Sequence, residues 1–332
     1  MGSQIALLGA GSWGSALALR LAWNGCQVAL WGRDRAMMAT LAQERCNTRY
    51  LPGVELPEQI TPTADLNSAL QGADALLLAV PSHAFGDTLR AVAPQLSPTL
   101  PVAWATKGLE PGSGRLLHQV AAAELSPTQP LAVISGPTFA TEVAHHLPTA
   151  ITIAADTPAT AEWFAARLHS ATFRTYTSTD LVGVQLGGAA KNVLAIAAGI
   201  ADGLGLGANT RAALITRGLA ELMRLGEALG AQRDTLMGLT GLGDLVLTCT
   251  DNQSRNRRAG LALGEGEPID KVLARIGQAV EGVKACPELC RLARQYQIEM
   301  PITEQVRRVL AAEATPQQAV TALLTRELKP EC

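Results

Sequence analysis

Ile5-Ala6-Leu7-Leu8-Gly9-Ala10-Gly11-Ser12-Trp13-Gly14 is the stretch that decides the fold of this 332-residue chain. Four apolar residues run into three glycines, and Ser15-Ala16-Leu17-Ala18-Leu19 follows with the composition of a helix. A strand before the G-x-G-x-x-G pattern and a helix after it predict dinucleotide binding. Gly9 would allow the tight turn, Gly11 would leave room for a pyrophosphate, and Gly14 would let the helix pack against the strand. Free N–H groups of the first helical turn would face the phosphates. The alternative is an ordinary glycine-rich turn.

The composition is that of a globular protein, with 48% hydrophobic and 17% charged residues. A formal net charge of -2 gives no basic field for nucleic acid or anionic lipid. The N-terminus enters a strand at once, without the basic region of a signal peptide, so we expect a cytoplasmic protein. The apolar stretch 186–200 contains Lys191 and Asn192 and is too short to span a bilayer, so it predicts a buried helix and no membrane insertion.

Cysteine spacing predicts free thiols in a reducing compartment rather than a metal or disulfide framework, because no C-x-x-C pair occurs and no histidine lies close to the cysteines. The six cysteines are Cys26, Cys46, Cys249, Cys286, Cys290 and Cys332.

Apolar runs alternate with helical segments through the first half of the chain, which predicts an α/β fold with a Rossmann-type doubly wound sheet. The runs cover residues 5–8, 27–31, 73–80, 102–106, 131–135 and 149–153. Ligands bind beyond the carboxyl ends of such strands, where Lys107, Gly136 and Thr138 would stand. Near residue 178 the character changes to helices with almost no strand. We therefore expect a dinucleotide-binding domain over 1–178 and an all-helical substrate domain over 179–332.

The choice of cofactor depends on Gly32-Arg33-Asp34, about twenty residues beyond the fingerprint, where the adenosine ribose is bound. A carboxylate at this strand end favours NAD by accepting a hydrogen bond from the 2′-hydroxyl. Arg33 comes first here and can pair with a 2′-phosphate. The pattern favours NADP with NAD tolerated.

Lys191 is a single cation in the middle of the apolar stretch 186–200. An unpaired buried ammonium is costly, and burial lowers the pKa of a lysine toward values suited to proton transfer. The alternative is a lysine whose stem carries its charge to the surface. Asp244 lies in equally apolar surroundings and is the natural counter-charge.

Three arginines follow within a short run, Ser254-Arg255-Asn256-Arg257-Arg258, which suits an anionic group of a cofactor or substrate. The alternative is a solvated basic start of a helix. On the helix predicted near 210–229, Arg217, Glu221 and Arg224 share one side, which we expect to be solvated. His145-His146 stands ahead of Pro148, and both histidines are interpreted as loop residues.

Taken together, the motifs resemble those of the bacterial NAD(P)-dependent glycerol-3-phosphate dehydrogenases over essentially the whole chain. They are the fingerprint and the runs Ala-Thr-Lys-Gly-Leu-Glu at 105–110, Ser-Gly-Pro-Thr-Phe-Ala at 135–140, Leu-Gly-Gly-Ala-Ala-Lys-Asn at 186–192, Gly-Leu-Gly-Asp-Leu at 241–245, Thr-Cys-Thr-Asp-Asn-Gln-Ser-Arg-Asn at 248–256 and Pro-Ile-Thr-Glu at 301–304.

The resemblance implies reversible reduction of dihydroxyacetone phosphate to sn-glycerol 3-phosphate with NADPH or NADH, which supplies the backbone of phospholipids. It implies that Lys191 is the proton donor or acceptor, with Asp244 beside it and Lys107 as the remaining candidate acid. The implied substrate residues are Lys107, Gly136, Thr138, Lys191, Asn192, Asp244, Thr248, Ser254, Arg255 and Asn256. The implied cofactor residues are Gly9, Gly11, Ser12, Trp13, Gly14, Arg33, Tyr50, Lys107, Ala140, Arg255, Ala279 and Glu281. Ala279 departs from the family pattern, since a valine is expected there.

Two other functions fit part of the sequence. A related two-domain dehydrogenase for 3-hydroxy acids would share the architecture, but it would need a carboxylate clamp and usually a histidine acid. A non-catalytic redox sensor would keep the fingerprint glycines without needing Lys191 and Asp244. The glycine- and alanine-rich helix around 187–199 could serve a homodimer interface as well as a core.

Overall fold

A computed structural model describes residues 2–327 and begins with a mostly parallel sheet whose strands alternate with helices. The strands are β1 (Gln4–Leu8), β2 (Gln27–Trp31), β3 (Ile60–Thr63), β4 (Ala75–Leu78), β5 (Val102–Trp104), β6 (Leu131–Ser135), β7 (Thr149–Ala155) and β8 (Phe173–Ser178). The helices between them are α1 (Ser12–Trp23), α2 (Arg35–Glu44), α3 (Leu66–Leu70), α4 (Ser82–Val92), α5 (Leu117–Glu124), α6 (Ala140–Ala144) and α7 (Pro158–Leu168), with a short 3₁₀ turn at Ala93–Gln95.

Helices alone make up the rest of the described chain. They are α8 (Leu181–Gly203), α9 (Gly207–Ala228), α10 (Arg233–Met237), α11 (Asp244–Thr250), α12 (Arg255–Gly264), α13 (Ile269–Ile276), α14 (Glu281–Gln295), α15 (Pro301–Leu310) and α16 (Pro316–Leu324). A π-helical turn, Leu239–Gly243, leads directly into α11.

The sheet has the order β3-β2-β1-β4-β5-β6-β7-β8, and its neighbours are parallel except for β6 and β7. Both faces are covered: Ile5 and Leu7 of β1 belong to one apolar cluster, whereas Ala6 and Leu8 belong to another. A parallel strand buried on both faces needs a continuous apolar run, which β1 and β4 have. The predicted α/β class, a doubly wound sheet followed by helices, is confirmed.

Two strands, β3 and β8, were not predicted from the sequence, and both lie at the edges of the sheet. β3 contains Pro62, which an edge strand tolerates because one row of its backbone groups needs no partner. β8 reads Phe-Arg-Thr-Tyr-Thr-Ser and buries fully only Phe173. Edge strands that face solvent lack the apolar run by which the central strands were found.

The chain divides into two compact units. The first comprises Met1–Glu110 and Leu116–Gln185, and the second comprises Pro111–Arg115 and Leu186–Cys332. The change between units therefore falls within α8, after Gln185. The predicted domain boundary after residue 178 stays a prediction.

In the second unit, α8 and α12 pack with their backbones in contact. A Cβ atom added to Gly199 would lie 2.2 Å from the carbonyl oxygen of Arg257, and one added to Gly260 would lie 2.1 Å from that of Ile196. Only glycine permits this approach, which sets the first residues of α12 beside the middle of α8. α8 is long and apolar enough to cross a membrane, but 89% of its most apolar window is buried inside the protein.

Glu221 overturns the expectation of a solvated face on α9, because it is 1% exposed. Its carboxylate accepts hydrogen bonds from the backbone N–H groups of Ile302 (2.5 Å) and Thr303 (3.2 Å) and from the Thr303 hydroxyl (2.9 Å). It thereby satisfies the free N–H groups of the first turn of α15. Burial raises the pKa of Glu221, and these hydrogen bonds oppose that rise.

The cysteines of the described residues are all free thiols, and Cys26, Cys249, Cys286 and Cys290 are buried. Burial raises the pKa of Cys249 to about 12, so this thiol is neutral near pH 7. Cys332 lies outside the described residues.

Candidate active site

The fingerprint turn has the geometry that a pyrophosphate requires. Gly9 has a φ of +122°, and a Cβ atom there would lie 2.6 Å from the carbonyl oxygen of Ala79. A Cβ atom on Gly14 would lie 1.8 Å from the carbonyl oxygen of Gly9, whereas one on Gly11 would meet nothing within 4 Å. Gly11 is also the N-cap of α1, and having no side chain it cannot cap the first N–H groups of that helix. The three glycines thus give a tight turn, open space for a ligand and a close helix contact.

A loop after α2 is fastened to this turn by Asn47, which sequence reasoning missed. The buried Asn47 amide donates to the Ala10 carbonyl oxygen (3.0 Å) and to the Ser15 hydroxyl (2.8 Å). The Ser12 hydroxyl donates to the carbonyl oxygen of Tyr50 at 2.6 Å. Ser12 and Tyr50, two predicted cofactor residues, are therefore neighbours. An asparagine in an irregular stretch carries no periodic signal, so nothing in the sequence marked it.

Trp13, another predicted cofactor residue, supports the fit of a cofactor to this turn. Its buried indole Nε1 has no hydrogen-bond partner among residues 2–327. A buried N–H group without a partner is costly and is normally satisfied. A cofactor bound at the glycine turn would supply hydrogen-bond acceptors close to this N–H group.

Arg33 and Asp34 follow β2 and differ in role. The Asp34 carboxylate is the N-cap of α2 and accepts a hydrogen bond from the Met37 N–H at 3.1 Å. Arg33 is exposed at the carboxyl end of the strand.

The carboxyl ends of β5 and β6 bring Lys107, Gly136 and Thr138 together. The Lys107 ammonium donates to the Gly136 carbonyl oxygen at 3.1 Å, and the Thr138 hydroxyl donates to the same oxygen at 3.3 Å. Ala140, a predicted cofactor residue, is the first residue of α6 just beyond them.

Lys191 and Asp244 form a buried ion pair in the second unit. Their Nζ and Oδ1 atoms are 2.5 Å apart, and the two side chains are 9% and 0% exposed. Lys191 therefore does not extend its charge to the surface. Thr248, one turn along α11, donates its hydroxyl to the Asp244 carbonyl oxygen (2.6 Å) and also lies 3.4 Å from Oδ1.

Gly187 allows this pair to form. A Cβ atom there would lie 2.3 Å from the carbonyl oxygen of Thr240, in the π-helical turn that precedes Asp244. The missing side chain lets that turn lie directly on α8, one helical turn before Lys191. Irregular π-helical turns are frequent at functional sites.

A chain of hydrogen bonds joins Asn192 to three further positions. The Asn192 amide donates to the Glu281 carboxylate (3.1 Å), and its carbonyl oxygen accepts from the Asn256 amide (2.8 Å). Asn256 in turn accepts from the backbone N–H of Gly282 at 2.8 Å. The starts of α12 and α14 are thereby fixed to α8 beside Lys191.

The arginine cluster separates into three different environments. Arg255 is half-buried and donates to the Gln278 side chain at 3.1 Å, while Ser254 is the N-cap of α12. Arg258 is exposed, but Arg257 is buried and pairs with Asp202. Arg257 fits neither interpretation of the cluster, an anion site or a solvated helix start, because it is buried and its charge is compensated by Asp202. Ala279 is exposed.

Two family models cover the chain: the NAD-dependent glycerol-3-phosphate dehydrogenase N-terminus matches residues 4–161, and the C-terminus matches residues 180–321. The chain belongs to the NAD-dependent glycerol-3-phosphate dehydrogenase family. It is therefore an NAD(P)-dependent oxidoreductase, and the predicted family and cofactors are confirmed. The 3-hydroxy-acid dehydrogenase and the non-catalytic sensor are set aside.

Glycerol-3-phosphate dehydrogenases of two bacteria are each 58% identical to this chain. The protein of Thioalkalivibrio sulfidiphilus matches over 327 residues, 98% of both chains. That of Nitrosococcus oceani matches over 325 residues, 98% of this chain and 94% of the relative. A crystal structure of glycerol-3-phosphate dehydrogenase from Coxiella burnetii superposes with a TM-score of 0.95 at 50% identity, covering 98% of this chain and 99% of the other.

Proposed function

We propose that this dehydrogenase reversibly reduces dihydroxyacetone phosphate to sn-glycerol 3-phosphate with NADPH or NADH, with Lys191 as the proton donor. The observation that carries the proposal is the buried pair of Lys191 and Asp244, 2.5 Å apart. In the cytoplasm, the product would supply the backbone of phospholipids.

The first unit would hold the cofactor. Its pyrophosphate would lie over Gly11, and Ser12, Trp13 and Tyr50 would line the site with Arg33 near the ribose. When bound, the nicotinamide supplies the hydride that adds to the ketone carbon. The turn geometry at Gly9 and Gly14 supports this assignment.

Lys191 would meet the negative charge that develops on the ketone oxygen and would give it a proton. A donor held in place before the reaction is more effective than one that must reorganise. Asp244 would orient the ammonium and keep it protonated. In the reverse direction the same amine would accept the alcohol proton.

The phosphate of the substrate would be bound by Arg255, with Ser254 and Asn256 at the same helix start. A guanidinium matches the geometry of phosphate oxygens, and the N-terminus of α12 favours an anion. Lys107, Gly136, Thr138, Asn192 and Thr248 complete the proposed substrate residues. Lys107, Ala140, Arg255, Ala279 and Glu281 complete the proposed cofactor residues.

The test measures NADPH oxidation with dihydroxyacetone phosphate and with unphosphorylated dihydroxyacetone. We expect the parent enzyme to turn over the phosphorylated ketone far more efficiently. Lys191→Ala should lower kcat by at least about 10³, the combined effect of a lost acid and lost charge stabilisation. Asp244→Asn should lose less, and the double variant should be little worse than Lys191→Ala, because the two side chains act as a unit.

Lys107→Ala is the matched control, since Lys107 is the other candidate acid. It should keep a larger kcat than Lys191→Ala. A Lys191→Ala enzyme that retains a tenth of the parental kcat would remove this lysine from the mechanism and leave Lys107 as the acid. Equal turnover of both ketones would contradict a phosphate-binding role for Arg255.

A further inference from the structure

Arg257 contacts three separate pieces of chain around the substrate segment, defined here as residues 248–256. This segment begins at Thr248 in α11, passes through the turn at 251–254 and ends at Asn256 in α12. It contains four of the proposed substrate residues. Arg257 is not among them, because all three nitrogens of its buried guanidinium donate to acceptors of the protein itself.

Each nitrogen of the Arg257 guanidinium has a different acceptor. Nε donates to the carbonyl oxygen of Cys249 at 3.0 Å, near the end of α11. One terminal nitrogen donates to the side chain of Asn252 in the turn, and the other donates to Asp202 near the end of α8. The planar guanidinium thus connects α8, α11 and the turn and holds them at a defined spacing.

Asp202 is itself fixed by a second arginine. Arg211 of α9 donates one nitrogen to both Asp202 oxygens, at 2.9 and 3.0 Å. The Asp202 side chain is 10% exposed, so its charge would be costly without these partners. The carboxylate is therefore a firm anchor for Arg257.

We propose that Arg257, anchored by Asp202, is a positioning residue that holds the substrate segment in its binding geometry and so sets the affinity for the phosphorylated substrate. The inference rests on the proposed function, in which Ser254, Arg255 and Asn256 bind that substrate. Asp244 lies at the other end of α11 and has its own bond to Lys191. The proposal therefore predicts a larger effect on KM for the ketone than on kcat or on KM for the cofactor, to which the segment contributes only Arg255.

Arg257→Lys is the principal test, because it keeps the charge for Asp202 but cannot reach Cys249 and Asn252 in one plane. We expect KM for dihydroxyacetone phosphate to rise at least about tenfold, the lower end of the cost of a lost charge-assisted hydrogen bond. By the same argument kcat should stay within about threefold, and KM for NADPH should rise by clearly less than KM for the ketone. Arg258→Lys is the matched control, since that neighbouring arginine is exposed, and it should behave as the parent.

Asn252→Ala is the second variant, because it removes one acceptor on the exposed turn without touching the buried ion pair. It should raise KM for the ketone by less than Arg257→Lys does, at an unchanged Tm. It decides the question if Arg257→Lys does not accumulate as folded protein. Parental KM values for the ketone in both variants, or an equal rise in KM for NADPH, would overturn the proposal.

Hydrogen exchange without any ligand separates this inference from the proposed function. Amides of residues 249–256 should exchange faster in Arg257→Lys than in Arg258→Lys, whatever the substrate is. If the parent enzyme does not reduce dihydroxyacetone phosphate, the proposed function fails while the exchange result still decides the positioning role. Equal exchange in the two variants would show that Arg257 does not hold this segment.

Discussion

Arg33 and Asp34 have different roles at the end of β2: Asp34 caps a helix, and Arg33 is the proposed partner of a 2′-phosphate. The exposed Asp34 carboxylate accepts the Met37 N–H as a helix cap, whereas the exposed Arg33 offers a cation at this strand end. Arg33→Ala should therefore raise KM for NADPH much more than KM for NADH. The loss of a charge-assisted contact to a 2′-phosphate costs about 1.5–3 kcal/mol.

Steady-state kinetics with both cofactors checks this prediction. Arg35→Ala is the control, because Arg35 is exposed on the same turn but belongs to α2. An equal loss for NADPH and NADH in Arg33→Ala would contradict a role in distinguishing them.

Buried charges could be predicted from the sequence only where their surroundings are apolar. Lys191 and Asp244 stood out in apolar runs, and the structure pairs them. Glu221 is just as buried, but arginines on the same side of its helix suggested a solvated face. Its partners are backbone N–H groups of α15, 81 residues away in the chain, and sequence patterns do not reveal such partners.

The strand–turn–helix element gives different roles to its glycines. Gly11→Ala should fold as the parent does, since its extended backbone accepts alanine and a Cβ there meets nothing within 4 Å. It should nevertheless raise KM for NADPH and NADH alike, because the methyl group would occupy the space of the pyrophosphate. Gly14→Ala should instead lower stability by about 1–3 kcal/mol, as overpacking does.

Thermal unfolding and steady-state kinetics on the two variants separate these effects. Parental KM values in Gly11→Ala would show that no pyrophosphate lies over this residue. A parental Tm in Gly14→Ala would contradict the close contact between α1 and the turn.

The contact between α9 and α15 should depend on pH through Glu221. Burial raises the pKa of this carboxyl above its ordinary value, so the folded protein takes up the proton at a higher pH than the unfolded chain. The free energy of unfolding should therefore fall as pH rises from the ordinary glutamate pKa through the raised one. Glu221→Gln cannot titrate, so the parent's advantage over this variant should shrink as pH rises.

Denaturant unfolding of the parent and Glu221→Gln over this pH interval measures the effect. Glu227→Gln is the control, because Glu227 lies on the same helix and is exposed. A difference between the parent and Glu221→Gln that does not change with pH would show that the raised pKa is not present.

At the scale of the whole chain, the sequence predicted the α/β class and the positions of the central strands along the chain, because apolar runs and fingerprint glycines are local signals. The sequence did not reveal which short segments belong to which compact unit. Pro111–Arg115 belongs to the second unit although the first unit surrounds it in sequence, and the Gly112 N–H donates to Glu288 of α14 at 2.8 Å. Such a bond between residues 176 apart leaves no trace in composition or periodicity.

Cofactor binding should depend mainly on the first unit, and proton transfer should depend on Lys191 of the second. A ligand that binds only the folded state stabilises it by about 2.7 kcal/mol at a hundred times its Kd. Saturating NADPH should therefore raise Tm equally in the parent and in Lys191→Ala, although the variant has lost its turnover. Gly11→Ala should lose most of this shift, and where calorimetry resolves two transitions, the transition of the first unit should move. If Lys191→Ala lost the NADPH shift as well, the lysine would contribute to cofactor binding, and its low kcat would no longer identify it as the acid.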